Sequence, residues 1–400
     1  MSDDLIDGGL VFDHSDPAMG ARLHETYAEF RDKCPIAKGE KFGGFWALTK
    51  YDDVLKAARD YSNFTVTQGI TIPHINGDTP VLPAQVDPPE HTAYRRIVQK
   101  FFTPTAMIPY EQILRDLVDD QLRTIADKGE ADMLTVLGRP IPPAAIALMF
   151  GLPIEESGRF VEWADQMMAT AYSGDKEAHD RVIDELETYL EDRCLERRGG
   201  DDGTVLAAIA NAKIDDRFLN STEIRGLTHL LAIAGHETTV NSLSTMLFHI
   251  LSEPSLKQRL IADPSLIPAT VEEALRYEAP VMSMARTVVQ ETQLSGHTFC
   301  PGERVLLAFI SANHDDEVFA DPDAFDIARA NNTSHLAFGT GTHKCLGEHL
   351  ARAEMRVVAE EVLRLMPDIE LAPGYEPQWL PARTVRGLKT LPVRYSPFGL

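Results

Sequence analysis

The sequence predicts a mainly α-helical protein with small β-sheets. Three observations carry that expectation. From Pro104 to Leu251 the apolar residues recur at helical spacing. A second strongly helical run covers Glu348 to Leu365. Alternating segments with turn residues are short and lie near Gly44–Thr49, between Arg286 and Phe309, and beyond Pro373.

Taken in order, Gly44 to Thr49 reads as a short strand bounded by glycine, and Tyr51 to Arg59 as a short amphipathic helix. Thr65 to Asp87 is rich in Pro, Gly and Thr and has no periodicity. It reads as a long loop, and such loops in compact domains are often functional. Asn220 to Leu251 reads as one helix of about 45–50 Å, given a rise of about 1.5 Å per residue. A helix of that length crosses a whole domain. Asn220 with Glu223 resembles a capping box at its start. Pro264 to Tyr277 reads as a further helix, with Asp263 as N-cap and Pro264 at the first helical position. Gly296 and Pro301-Gly302 mark turns between the strands of the Arg286–Phe309 region.

The 400 residues are 44% hydrophobic and 25% charged, enough for a large core. No Ser/Gly tract, charge block or repeat divides the chain, so a single domain over 1–400 is expected. Against 61 acidic residues stand 38 basic ones, a net charge of −23, which argues against nucleic acid as a partner. Cys34, Cys194, Cys300 and Cys345 lack metal-ligand spacing, so neither a disulfide framework nor a zinc site is expected. Met1 to Asp16 is acidic and lacks the basic and apolar parts of a signal peptide. The most apolar helical run, Leu227 to Ile233, is interrupted by His229 and is too short and polar to span a bilayer. A soluble cytoplasmic protein is expected, without a membrane partner.

The most informative stretch is Phe338-Gly339-Thr340-Gly341-Thr342-His343-Lys344-Cys345-Leu346-Gly347. A glycine-rich loop delivers one cysteine to the start of the Glu348–Leu365 helical run. The positive end of a helix favours thiolate over thiol. Gly341 and Gly347 let backbone N–H groups approach the sulfur, and Phe338 can cover one side. A shielded thiolate without a second cysteine nearby suits a fifth ligand to haem iron. The plainer alternative is a buried core cysteine.

Three further groups of residues carry possible chemistry. Ala234-Gly235-His236-Glu237-Thr238-Thr239 lies in the middle of the long helix. A helical glycine costs about 0.5–1 kcal/mol relative to alanine, and the threonine three residues on can bond back to a carbonyl and open the ladder. That makes room for a small ligand beside a hydroxyl–carboxylate proton pair; a simple kink with a solvated glutamate is the alternative. Glu273 and Arg276 share a helix face at i and i+3, the spacing of an ordinary ion pair. His91 and Arg95 share a face at i and i+4, as anion ligands or as a solvated basic face.

Phe-x-x-Gly-x-His-x-Cys-x-Gly resembles the haem-binding signature of the cytochrome P450 superfamily, in the form common among soluble bacterial members. Ala-Gly-x-Glu-Thr-Thr resembles its oxygen-activation motif, and Glu273-x-x-Arg276 its Glu-x-x-Arg element. The matches run from about Trp46 to the C-terminus, and the tail from Pro367 to Val393 resembles the camphor-hydroxylase branch in particular. The resemblance implies the cytochrome P450 fold, a triangular prism of helices enclosing haem b between the long distal helix and the Cys345 loop. It implies Cys345 as the metal ligand. It makes His91, Arg95, Arg286 and His343 propionate ligands, and sets Phe338, Gly341, Gly347 and Ala234 against the haem. Arg329, after Phe319–Asp326, would join Glu273 and Arg276 in a structural cluster. Where the camphor branch has an acidic residue two positions before the strand arginine, this chain has Met284.

The implied function is that of a monooxygenase. One atom of O2 enters a C–H bond, Thr238 and Glu237 deliver protons, and a ferredoxin, [2Fe-2S]-type or other, brings electrons from an NAD(P)H-dependent reductase. Lys344 and Arg352, with Arg95 and Arg96, would form the basic face for the acidic ferredoxin, and the protein would act as a monomer. The alternatives are a peroxide-dependent haem-thiolate enzyme and, from another class, a haem-based redox or gas sensor. By the same resemblance the substrate pocket is lined by the Thr71–Val81 loop, Leu230, Ile233, Ala234, Thr238, Met282 and Val385. That mostly aliphatic lining suits a small apolar substrate, terpenoid-sized at first guess. Camphor itself is not expected, because no tyrosine occurs between Tyr61 and Tyr94; Thr71 and Thr79 are the hydroxyls offered there instead.

Overall fold

The computed structural model describes residues 10–16, 19, 20, 22–74, 79–171, 173, 175–381 and 384–399. Helix accounts for 52% and strand for 11% of it, as the sequence leads one to expect. The chain divides into two compact units. One comprises Met1–His74, Asn241–Cys345 and Met366–Tyr395; the other comprises Ile75–Val240, Leu346–Leu365 and Ser396–Leu400.

The first unit is built on a five-stranded mixed sheet. Its order is Ile36–Gly39, Phe45–Leu48, Arg304–Leu307, Met284–Val288 and Phe64–Thr65. Phe45–Leu48 and Arg304–Leu307 run parallel, with Trp46 opposite Val305, and the other neighbours are antiparallel. Trp46, Leu48, Phe64, Val288, Phe299, Val305 and Leu307 pack into one apolar cluster with Val54, Ala57 and Ala58 of the Tyr51–Arg59 helix. Val54, Ala57 and Ala58 fall at helical spacing, so that short helix buries one face and leaves Asp52 and Lys56 outside. Gly296 and Gly302 both take positive φ, at 81° and 87°, where the sequence places turns.

The second unit is helical. Ile141–Phe150 is apolar on every side and almost wholly buried, as a central helix must be. It begins with prolines in its first turn and ends at Gly151, whose φ is 71°. The helices Ser157–Ala171, Lys176–Leu195 and Ser221–Ala234 belong to the same unit. Pro104–Arg123 and Glu348–Leu365 are joined by charge: Arg115 bonds Glu361 at 2.6 Å and also Glu360, while Arg356 bonds Glu111 at 2.7 Å.

Two expectations need correction. Asn220–Leu251 is not one helix but two, Ser221–Ala234 and Glu237–Ser252, with Gly235-His236 between them. The expected capping box is formed: the Asn220 side chain accepts from the Glu223 N–H and Glu223 accepts from the Asn220 N–H. The second correction concerns Pro264–Tyr277. Its first turn, Pro264–Leu266, is a 3₁₀ turn, and the α-helix starts at Ile267. Asp263 caps that turn by accepting from the Ser265 N–H. Pro268 has no N–H to carry an α-helical ladder back across the junction.

Candidate active site

The break between the two helices has a local cause. The Thr238 hydroxyl donates to the Ala234 carbonyl at 2.7 Å, and the His236 N–H turns back to the Ile233 carbonyl at 3.1 Å. A Cβ at Gly235 would stand 2.9 Å from Cδ1 of Ile146, so any larger residue there would push that side chain aside.

Burial along this stretch singles out one face. Between Gly226 and Val240 the residues that are not buried are Leu230, Ile233, Ala234, Gly235, Glu237 and Thr238, and of these Ala234 is exposed. Leu230, Ile233 and Ala234 follow i, i+3, i+4 spacing, so they share one side of the helix. An open aliphatic strip on an otherwise buried helix, ending in a carboxyl and a hydroxyl, is a wall built to receive something. Glu237 has no hydrogen-bond partner among the described residues. Burial, with Asp165 adding to it and Arg139 opposing, pushes its carboxyl up to about 7. Arg139 and Asp165 are themselves paired at 2.8 Å. His236, 5% exposed, is driven down to about 4 by burial and is neutral.

In the same unit, His91 and Arg95 lie one turn apart on the Glu90–Val98 helix, with His91 buried. Burial, then the Arg95 charge, lowers the His91 pKa. Val81 is buried, and the adjacent Leu82 N–H donates to the Gly226 carbonyl at 3.1 Å. The Thr79 hydroxyl is already engaged, donating to Glu187 at 3.2 Å. Gly347 precedes the Glu348–Leu365 helix, in which Arg352 pairs with Glu348 at 2.7 Å.

The first unit holds the cysteine loop. Cys345 is exposed, and its N–H donates to the Phe338 carbonyl at 2.8 Å, closing the loop on itself. Gly339 and Gly341 take φ of 65° and 69°. At Gly341 a side chain would also press on Arg59, whose Cα lies 3.2 Å from the Cβ position. His343 and Lys344 sit in the same loop, Lys344 exposed.

Three of the expected pocket residues come together in this unit. The Ala285 N–H bonds the Ile70 carbonyl at 2.7 Å, which brings the Thr71 segment to the Met284–Val288 strand. The Met282 N–H bonds the Thr384 carbonyl at 2.9 Å, and Val281 bridges Val385. Arg286, on that strand, is buried, and its guanidinium donates to the Ala285 carbonyl at 2.8 Å. Residues 75–78 of the expected Thr71–Val81 lining lie outside the described residues.

The same unit contains the Glu273–Arg276–Arg329 cluster. Glu273 and Arg276 are fully buried and paired through both guanidinium nitrogens at 2.8 and 2.9 Å, and Arg329 reaches Glu273 at 3.4 Å. Arg276 also donates to the carbonyls of Asn313, Pro322 and Ala324. Arg329 donates to those of Ala320, Asp321 and Ala324. The cluster pins the chain from Asn313 to Arg329 to its helix.

The donors of the cysteine-loop unit fit a haem: an accessible thiol on a glycine-shaped loop for the iron and a buried strand arginine for an anionic group. Sequence reasoning missed Glu187, the partner of both Thr79 and His229, because residues 42 and 108 positions apart leave no local signal.

The sequence matches the family model described as Cytochrome P450 over residues 159–366. It is 33% identical over 400 residues to the steroid C26-monooxygenase of Mycolicibacterium smegmatis, covering 98% of this chain and 96% of that protein. It is 35% identical over 368 residues to the methyl-branched lipid omega-hydroxylase of Mycobacterium bovis, with coverage of 88% and 84%. Among solved structures, CYP108D1 from Novosphingobium aromaticivorans superposes with a TM-score of 0.85 at 29% identity, covering 96% of this chain and 97% of that one.

Proposed function

This chain belongs to the cytochrome P450 family and is a monooxygenase with haem b as its cofactor, and we propose that it oxidises a small, branched, apolar substrate of terpenoid size with electrons from a ferredoxin and an NAD(P)H-dependent reductase. In this reading Cys345 binds the metal. His91, Arg95, Arg286 and His343 hold the propionates through charge-assisted hydrogen bonds. Haem with a thiolate ligand, when bound, supplies the oxygen chemistry that places one atom of O2 in a C–H bond.

The observation that carries this reading is the open strip beside the helix break. Leu230, Ile233 and Ala234 offer aliphatic surface, and binding there comes mainly from apolar burial. Thr238 presents its hydroxyl oxygen at the break while its proton is held on the Ala234 carbonyl at 2.7 Å. Glu237, at about 7, holds a proton near neutral pH and can release it, as a relay needs. Burial is the main cause of that raised proton affinity, with the half-exposed Asp165 adding to it and Arg139 opposing. Thr71, Met282 and Val385 would complete the apolar lining. The names of the two monooxygenase relatives, a steroid and a methyl-branched lipid enzyme, support a branched hydrocarbon skeleton.

The ferredoxin would dock where Lys344 is exposed, and a ferredoxin Kd that weakens with salt and with Lys344→Glu is expected. Arg352 is a poorer probe, since its replacement by Glu would set a second carboxylate beside Glu348. The chain is proposed to act as one functional domain and as a monomer in the cytoplasm, which size-exclusion chromatography and cell fractionation check.

Two measurements test the core of the proposal. The reduced carbon monoxide complex should show the red-shifted thiolate band, and Cys345→His should lose it while remaining folded. A panel of monoterpenoids, norisoprenoids, sterols and methyl-branched fatty acids should give its tightest spin-state shifts with the neutral terpenoids. Tight shifts only with the charged acids would overturn the substrate assignment.

A further inference from the structure

A buried polar cluster borders the open strip, and the oxygen chemistry does not use it. Glu187, on the Lys176–Leu195 helix, is 3% exposed. His229 Nδ1 lies 2.9 Å from its Oε1, and the Thr79 hydroxyl donates to its Oε2 at 3.2 Å. Arg225 Nη1 stands further off, at 4.0 Å. The segment bearing Thr79 is seated firmly. The Leu82 N–H bonds the Gly226 carbonyl, and the Pro80 carbonyl comes within 2.3 Å of where a Gly226 Cβ would be. Only glycine allows that approach.

The Thr79 hydroxyl donates to Oε2, and the Nδ1–H tautomer of His229 lets the ring donate to Oε1. In that tautomer Nε2 is left as an acceptor. Among the described residues Nε2 has no partner, although His229 is only 6% exposed. That nitrogen is not sealed among the buried unpartnered atoms, so a donor from outside the protein can reach it. His229 directly precedes Leu230 and lies one turn before Ile233, so it sits beside the apolar strip.

We propose that Glu187, His229 and Thr79 form a recognition site for a substrate hydroxyl, at the edge of the apolar wall, that selects which carbon is oxidised. An alcohol can donate to Nε2. A ketone brings only lone pairs, and a carboxylate brings a second negative charge towards Glu187. The site therefore prefers alcohols among molecules of one skeleton. The inference rests on the reading of the strip as the substrate wall.

The test compares menthol, menthone and p-menthane, with binding to the haem-loaded protein measured by calorimetry and by the haem absorption band. Wild type should bind menthol about 3–10-fold more tightly than the other two, the worth of one net hydrogen bond. His229→Phe should abolish that preference while leaving the p-menthane Kd within about twofold, since apolar burial is untouched. His229→Gln, which keeps a hydrogen-bonding group, should retain part of it. Where turnover occurs, the product distribution from menthol should broaden in His229→Phe. Equal affinity of wild type for all three, or a preference that survives His229→Phe, would overturn the polar site alone. Binding of none of the three would overturn the apolar-wall reading and the polar site together.

Discussion

Glu273 is a fully buried glutamate and Glu237 a partly buried one, and the two regions that hold them treat the carboxyl in opposite ways. Glu273 is saturated: Arg276 binds it through two nitrogens, Arg329 approaches it, and the Asp326 N–H donates to it at 2.9 Å. Glu237 has no hydrogen-bond partner among the described residues, and burial lifts it to about 7. A fully paired carboxylate cannot move a proton, and its surroundings cannot move without breaking it. A shielded but unpaired carboxyl can take up and release a proton near neutral pH. The first region is a lock and the second a relay, and one residue type serves both because its neighbours differ.

The contrast breaks most visibly at Arg276. Arg276→Ala leaves the buried Glu273 with one cation, Arg329 at 3.4 Å, beside the Asp326 N–H, and removes the donors to the Asn313, Pro322 and Ala324 carbonyls. Removing one partner of a buried pair costs about 3–5 kcal/mol. The variant should fail to retain haem or should unfold at much lower denaturant. A loss below about 1 kcal/mol, against that expectation, would show that the cluster is not a lock.

Glu237→Gln should leave the fold intact and slow turnover by about 10²-fold, within the usual range for a positioned acid or base. The pH dependence follows from the raised carboxyl. Its proton is retained in the fold up to about 7 but lost from the unfolded chain above about 4.5. Stability therefore falls as pH rises through that window and levels off above it. Turnover that depends on the same proton should fall above about pH 7; in Glu237→Gln that fall should vanish and the stability slope should lessen, leaving the part due to Glu354. A retained inflection near 7 would assign the proton to another group.

Thr238→Ala removes the hydroxyl that closes onto Ala234 and should lower the product formed per NADH while oxygen consumption continues. Unchanged coupling would take Thr238 out of the relay. The expected effect is smaller than that of Glu237, because water can stand in for a hydroxyl more readily than for a titrating acid.

Much of this contrast was legible in the sequence where its causes are local. Asn220 and Glu223 announce a cap because both partners lie within one turn. Tyr51–Arg59 and Glu348–Leu365 match the periodic runs residue for residue. Glu273 and Arg276 are one turn apart on the same helix, and Arg329 joined them through the family resemblance. What escaped has more than one cause. The threonine bond that opens the helix at Gly235 is local and was legible, but periodicity does not say whether such an opening ends the helix, so periodicity alone ran the helix through it. His229 read only as an interruption of an apolar run, because Glu187 is far away in sequence. Arg352 read as part of a basic docking face, although Glu348, four residues earlier, pairs with it. That last pairing was available from i, i+4 spacing.

Glu354 offers a third state of the same carboxyl and sharpens the comparison. It is 1% exposed on the Glu348–Leu365 helix, its Oε1 has no partner, and burial alone pushes it up to about 8. It is neither paired like Glu273 nor open like Glu237, so it is held protonated and serves no relay. The folded protein keeps that proton up to about pH 8, whereas the unfolded chain releases it above about 4.5. The unfolded state thus binds fewer protons between those values, and stability falls as pH rises through them. Glu354→Gln stays neutral throughout. It should be close to wild type in stability at pH 4 and more stable by up to about 5 kcal/mol at pH 9, since each pH unit between about 4.5 and 8 costs wild type about 1.4 kcal/mol. Denaturant titrations at the two pH values measure the difference. An equal change at both would mean that packing rather than ionisation distinguishes the two side chains, and Glu354 would then be an ordinary core residue rather than an acid trapped between the lock and the relay.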